Sequence, residues 1–211
     1  RYVHKSIYME KKAVKDSPAV FSYSFTYTAY AQYNHFDPLQ DVLPYNTSST
    51  DYKEYTKAVP PHIVTDGKVA ELAKQIIGDE SNPYLQLKKI FSYISRNYPW
   101  AGAREYSTLE SIPLYVLENG HGDCGQVSLL FISMCRSLGI PARWESGWML
   151  HPGAVNLHDW AEAYLEGIGW IPVDQSFGLQ PEPVELFYSR GIDAYRMAVN
   201  TDIGGAFFPA K

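Results

Sequence analysis

Residues 121–141 read His121-Gly122-Asp123-Cys124-Gly125-Gln126-Val127-Ser128-Leu129-Leu130-Phe131-Ile132-Ser133-Met134-Cys135-Arg136-Ser137-Leu138-Gly139-Ile140-Pro141. Val127, Leu130, Phe131, Met134, Cys135 and Leu138 recur at the 3.6-residue spacing of one broad helical face, which predicts a buried helix over 124–138. Asp123 is a natural N-cap and makes Cys124 the first helical residue. At the far end Gly139 offers a left-handed stop, Ile140 a hydrophobic lock and Pro141 a barrier to continuation.

Downstream of this helix the period falls from 3.6 to 2. Residues 142–150, 158–165 and 170–174 read as strands, and Glu166-Gly167-Ile168-Gly169 joins the last two as a hairpin. Upstream, Val69, Leu72, Ala73, Ile76 and Ile77 mark a helix over 68–77 that stops at Gly78. Asn82-Pro83 is an N-cap with a first-turn proline, opening a helix over 84–97 whose inner face carries Leu87, Ile90, Phe91 and Ile94. Ser107-x-x-Glu110 resembles a capping box for a short segment that Pro113 limits. Farther back, Phe21, Tyr23, Phe25, Tyr27, Ala29, Ala31 and Tyr33 alternate mostly with Ser, Thr or Gln, the strongest strand signal in the chain. Residues 34–67, with Pro38, Pro44, Pro60 and Pro61, read as an ordered irregular connection. The expected organisation is therefore α+β. A β-rich N-terminal segment and linker span 1–57, and a main body over 58–211 puts helices on an antiparallel sheet, with the tail beyond Phe177 wrapping the surface.

Composition narrows the function. In 211 residues, 45% hydrophobic and 19% charged, there is enough apolar material for a core, so wholesale disorder is excluded. The longest apolar stretch, 127–135, is nine residues with two serines, far short of the roughly 20 that a membrane span needs. A net charge of −5 without a Lys/Arg cluster argues against a nucleic-acid surface. The 17 tyrosines suit half-exposed sheets, or grooves that contact peptide or carbohydrate. On one helix the two cysteines stand about 16 Å apart, too far for a disulfide. No Cys-x-x-Cys motif calls for structural zinc. The opening Arg1-Tyr2-Val3, without an initiator Met, reads as a piece of a longer protein.

The chemistry concentrates around Cys124. A thiol in the first turn of a helix meets unpaired N–H groups and the positive end of the macrodipole, which favour thiolate. Cys135 lies deep in the apolar run and reads as core packing. A thiolate needs a base, and His158 at the head of a strand suits this better than His4, His35, His62, His151 or the glycine-flanked His121. Asp174, at the end of the next strand, fits as the group that orients the histidine. A three-residue hairpin loop, or a bulge near Pro172, puts Asp174 on the same face as His158, at a diagonal of about 7 Å; a two- or four-residue loop puts them on opposite faces. Asp159 points to the face opposite His158 and is expected to tolerate change. A metal site built on Cys124, His121 and His158 lacks a fourth ligand, and nothing calls for a cofactor.

Four blocks run in order along the chain. They are Gly122-Asp123-Cys124; Ser137-Leu138-Gly139-Ile140-Pro141-Ala142-Arg143; His158-Asp159-Trp160-Ala161-Glu162-Ala163-Tyr164; and Gly169-Trp170-Ile171-Pro172-Val173-Asp174. Together they resemble the transglutaminase-like superfamily over about residues 68–178, with a looser likeness to bacterial members in residues 188–196. The resemblance implies a papain-like core and a Cys124–His158–Asp174 triad. It also implies a peptide or protein substrate attacked through a thioester, with hydrolysis favoured over cross-linking, and a periplasmic or extracellular setting. The backbone N–H of Cys124 is one oxyanion donor. By resemblance the Trp100 indole or the Tyr98 phenol is the second. The competing readings are a protein-crosslinking enzyme and a catalytically silent module that holds peptide or glycan.

Overall fold

The computed structural model describes residues 7–102, 104–178 and 187–204. In chain order these hold β1 (Gln32–Tyr33), α1 (Thr50–Thr56), α2 (Gly67–Ile77), α3 (Pro83–Asn97), α4 (Ile112–Asn119), α5 (Cys124–Ser137), β2 (Ala142–His151), β3 (Ala154–Leu165), β4 (Gly169–Val173), β5 (Gly191–Ile192) and β6 (Arg196–Thr201). The main sheet is antiparallel with order β4-β3-β2-β6, and β1 pairs with β5 apart from it. This is the α+β architecture the periodicities predict.

Helix α5 is the hub. It packs on α2, α3 and α4 and on β3. Its burial goes further than one face, since every residue from Gly125 to Arg136 is buried, as expected of a helix enclosed on all sides. Gly139, at φ +77°, ends it in the left-handed region. The N–H of Ile140 then returns to the Cys135 carbonyl at 2.9 Å and that of Gly139 to Arg136 at 3.0 Å. These two bonds satisfy carbonyls the helix end would leave bare. The chain then enters β2 directly at Ala142. Helix α3 begins as expected, with the Asn82 side chain accepting from the N–H groups of Tyr84 and Leu85.

Several expectations need correction. Pro113 does not shorten a helix begun at Ser107: residues 106–108 form a 3-10 turn, and α4 starts at Ile112 with Pro113 in its first turn. There the missing N–H costs nothing. The tail does not only wrap the surface, because β6 joins the main sheet beside β2. Pro181, Pro183, Gly205 and Pro209 lie outside the described residues. The long strand over 21–33 shrinks to Gln32–Tyr33. Phe21, Tyr23, Phe25 and Tyr27 are exposed, and an alternating stretch without a neighbouring strand has nothing to complete its ladder. Residues 32–57 are tied to the body by the β1–β5 pair, by the Tyr45 hydroxyl on the Tyr164 carbonyl at 2.8 Å and by α1 against α5.

These differences in burial set an expectation for stability. Leu130→Ala, at 0% exposure, should cost about 2–5 kcal/mol in denaturant-monitored unfolding. Tyr23→Ala, at 62% exposure, should stay within about 0.5 kcal/mol. A large loss from Tyr23→Ala would show that the N-terminal stretch carries packing.

Candidate active site

Three segments converge at the N-terminus of α5. The Asp123 side chain accepts from the Gln126 N–H at 2.9 Å, and the Gln126 side chain accepts from the Asp123 N–H at 3.3 Å. This reciprocal box fixes Cys124 as the first helical residue. The Tyr106 hydroxyl, from the 3-10 turn, donates to Asp123 Oδ1, the same oxygen that accepts from the Gln126 N–H. Ahead of the cap, Trp100 bridges Gly122, and the Ala101 N–H reaches the Gly122 carbonyl at 3.1 Å.

The hairpin supplies the second part of the site. Leu165 pairs with Gly169 and Ala161 with Val173, so the loop has three residues, 166–168. Position 158 then faces position 176, and Asp174 falls on the same side as His158. His158 Nε2 lies 2.7 Å from Asp174 Oδ2, with the two residues 5% and 0% exposed. Pro172 makes no bulge: it pairs with Glu162 in unbroken register on β4, an edge strand where its missing N–H is harmless. The His158 ring is held between Trp160, stacked at 5.9 Å, and Phe177, edge-on at 5.5 Å.

The thiol itself departs from expectation. Cys124 Sγ donates to Asp159 Oδ2 at 3.7 Å, and among the described residues no hydrogen bond joins it to His158. Asp159 does point away from the His158 face, as alternation requires. However, that other face is the one that carries Ala161, Ala163 and Leu165 into the core beneath α5. Cys124 is pushed up to about 12, first by burial and then by the Asp159 carboxylate, while the Asp159 backbone N–H pulls the other way. In this arrangement burial and a neighbouring anion outweigh the helix dipole that favours thiolate. Cys135 is fully buried, as core packing requires.

The remaining candidates divide. Tyr98 and Trp100 line a cavity of about 60 Å³ together with Gly122, Val127, Gln175 and Ser176. The Trp100 side chain is 65% exposed. His121 stays out of the site, with Nδ1 against its own loop at the Asn119 carbonyl. Among the described residues no three His, Cys, Asp or Glu side chains are arranged to hold a metal. Sequence reasoning missed Arg196, which is 4% exposed and whose Nη2 lies 3.2 Å from Asp174 Oδ2. It also missed Gln175, whose Oε1 accepts from Ser128 while its Nε2 finds no partner among the described residues. Arg196 lay within the looser likeness over 188–196. Gln175, directly after Asp174, carried no signal of its own.

Comparison with known proteins places this geometry. The family model of the transglutaminase-like superfamily matches residues 70–175. The chain belongs to the transglutaminase-like superfamily. It is 32% identical over 155 residues to an uncharacterized protein of Haemophilus influenzae, covering 61% of this chain and 41% of that protein. Over 151 residues it is 24% identical to Bacillus subtilis YebA, covering 63% of this chain and 20% of that one. The chain thus spans less than half the length of these curated relatives. Among solved structures, a Cytophaga hutchinsonii protein whose name proposes a cysteine protease aligns with TM-score 0.53 at 25% identity, over 64% of this chain and 45% of that one. The periplasmic domain of TgpA from Pseudomonas aeruginosa aligns with TM-score 0.51 at 18% identity, over 64% of this chain and 50% of that one, a likeness of fold.

One half-buried carboxyl near His158 makes a prediction about pH. Trp160, against which His158 stacks, donates its indole N–H to Glu145 Oε2 at 2.7 Å. Burial first, and then Glu162, push Glu145 up to about 7, against the opposing pull of Trp160 and Arg143. A carboxyl raised in the folded state favours folding while protonated, and that support is lost as pH rises through about 7. Glu145→Gln, which keeps an acceptor for the indole, should therefore melt higher than the parent protein at pH 8, with little difference at pH 4. A gain that is greatest at acid pH would contradict this.

Proposed function

We propose that the chain is a thiol enzyme that takes acyl groups from peptide or isopeptide amides through a thioester on Cys124 and passes them preferentially to water. The observation that carries this reading is the buried His158 Nε2–Asp174 Oδ2 bond. A neutral imidazole that donates from Nε2 to a carboxylate keeps its lone pair on Nδ1, which receives no hydrogen bond from the described residues and is ready to take a thiol proton. The family assignment and the name of the Cytophaga protein support the class of chemistry.

The steps follow from proton accounting. The Cys124 thiol gives its proton to His158 Nδ1 as sulfur adds to the amide carbonyl carbon. The oxyanion is met by the Cys124 backbone N–H at the start of α5 and by the Trp100 indole or the Tyr98 phenol from the adjoining segment. Imidazolium returns the proton to the departing amine, the C–N bond breaks and the thioester remains. Water, deprotonated by His158, then adds to the thioester and thiol leaves. A second amine in place of water would make the same site a cross-linking one. The superfamily resemblance and the periplasmic TgpA neighbour support a setting in the cell envelope. The resting Cys124–Asp159 bond is the one feature that favours a catalytically silent binding module.

The test is single-turnover acyl-enzyme capture by intact mass with a panel of peptide and isopeptide donors, comparing water with added amines. Cys124→Ala should abolish capture and turnover, and Cys135→Ala should lower stability while activity per folded molecule stays near that of the parent. Asp174→Asn should fold and lose about 10²–10⁴ in turnover, because the base remains but is poorly held. Equal residual activity in Cys124→Ala and Cys135→Ala would reject the nucleophile, and absence of any acylation across the panel would favour the silent module.

A further inference from the structure

Asp159 occupies a place built for a carboxylate. Strand alternation puts it at the head of the row Ala161, Ala163, Leu165, which lies against α5. Its Oδ2 lies over the first turn of that helix, 3.7 Å from Cys124 Sγ. The helix residue under it is Gly125. A Cβ at 125 would lie 2.8 Å from Asp159 Oδ2 and 2.7 Å from Trp144 Cη2, and would strike the Tyr106 hydroxyl. The bare backbone at 125 therefore lets a carboxylate, an indole and a phenol close together over the nucleophile's turn.

The groups that face this spot come from every element around it. Helix α5 brings Cys124 and its cap Asp123, the 3-10 turn brings Tyr106, β3 brings His158 beside Asp159 itself, and the segment after β4 brings Asp174. Imidazole is the only group of this set that can carry positive charge; the others are neutral or negative.

We infer that Asp159 is a positioning residue that holds Cys124 in a resting state, its carboxylate accepting the S–H so that the proton stays on sulfur and the thiol stays turned from His158. This rests on Cys124 being the nucleophile. Engagement is then a rotation of Sγ from Asp159 to His158 Nδ1, where the S–H bond breaks and an N–H bond forms. Asp159 is itself raised to about 6, by burial first and with a contribution from Asp123. The anionic hold is thus complete above that pH and fades below it.

The test is the rate of Cys124 alkylation by iodoacetamide from pH 5 to 10, mapped by peptide mass in the parent protein, Asp159→Asn and Asp159→Ala. Cys135 in the same samples reports whether the fold is intact. Removing the charge should raise the rate about tenfold at each pH from 7 to 10, the effect of easing Cys124 ionisation by about one unit. A side chain that only filled space would change melting and leave the rate per folded molecule where it was. The unmutated protein gives a second readout: anionic iodoacetate should be disfavoured against iodoacetamide at Cys124 above pH 6, with the bias relaxing between pH 6 and 5. An unchanged rate in the variants overturns the inference. Slower alkylation at every pH does so too, by making Asp159 a base, and so does the absence of reagent bias in the parent. Failure of the nucleophile assignment looks different: Cys124→Ala would keep turnover whatever the alkylation rates show.

Discussion

The hydrogen bond between His158 Nε2 and Asp174 Oδ2 is the contact around which the rest of the site is arranged. Asp174 also accepts from Arg196 on Oδ2 and from the Ser176 N–H on Oδ1, and its own N–H goes to the Tyr188 carbonyl. The carboxylate cannot swing away from the imidazole without breaking a pair with a buried guanidinium, and losing one partner of such a pair is costly. Trp160 and Phe177 fix the plane of the ring, and the Asp174 bond fixes its donor side. What remains adjustable is the thiol.

That adjustability depends on the other half of the site. Helix α5 starts where Asp123 and Gln126 cap each other, and it is enclosed on all sides, so the backbone of Cys124 is anchored while its short side chain can rotate. Asp159 is the partner that the thiol has. A half-buried thiol beside a carboxylate keeps its proton, and a thiol against an imidazole can give it up. In the mechanism proposed above, the change from the first partner to the second separates the resting thiol from the attacking one.

Much of this was legible in the sequence because local chemistry and global packing agree there. Asp123 before an apolar period and Gly139-Ile140-Pro141 after it each specify their own geometry, and residues 166–169 announce a hairpin, but its loop length and register stayed open until Leu165 was found paired with Gly169. What escaped depended on partners distant in sequence. The alternation over 21–33 has the composition of a strand but forms one only where β5 supplies a ladder, at Gln32 and Tyr33. Arg196 acts on Asp174 because β6 adds to the sheet beside β2, a pairing across some fifty residues that no local pattern announces. Asp159 was set aside by a correct parity argument, since it does face away from His158. What brings it to Cys124 is which face α5 covers, and that is fixed by packing, not by period.

The most direct test of the account is the protonation of the His158 ring, read from its ¹⁵N shifts in labelled protein with Cys124 unmodified. A neutral ring is expected to carry its proton on Nε2, donated to Asp174, with a bare Nδ1 that gains a proton only when the ring becomes charged. A neutral ring with its proton on Nδ1 and a bare Nε2 would contradict it, because Asp174 would then not be holding the base that the chemistry needs.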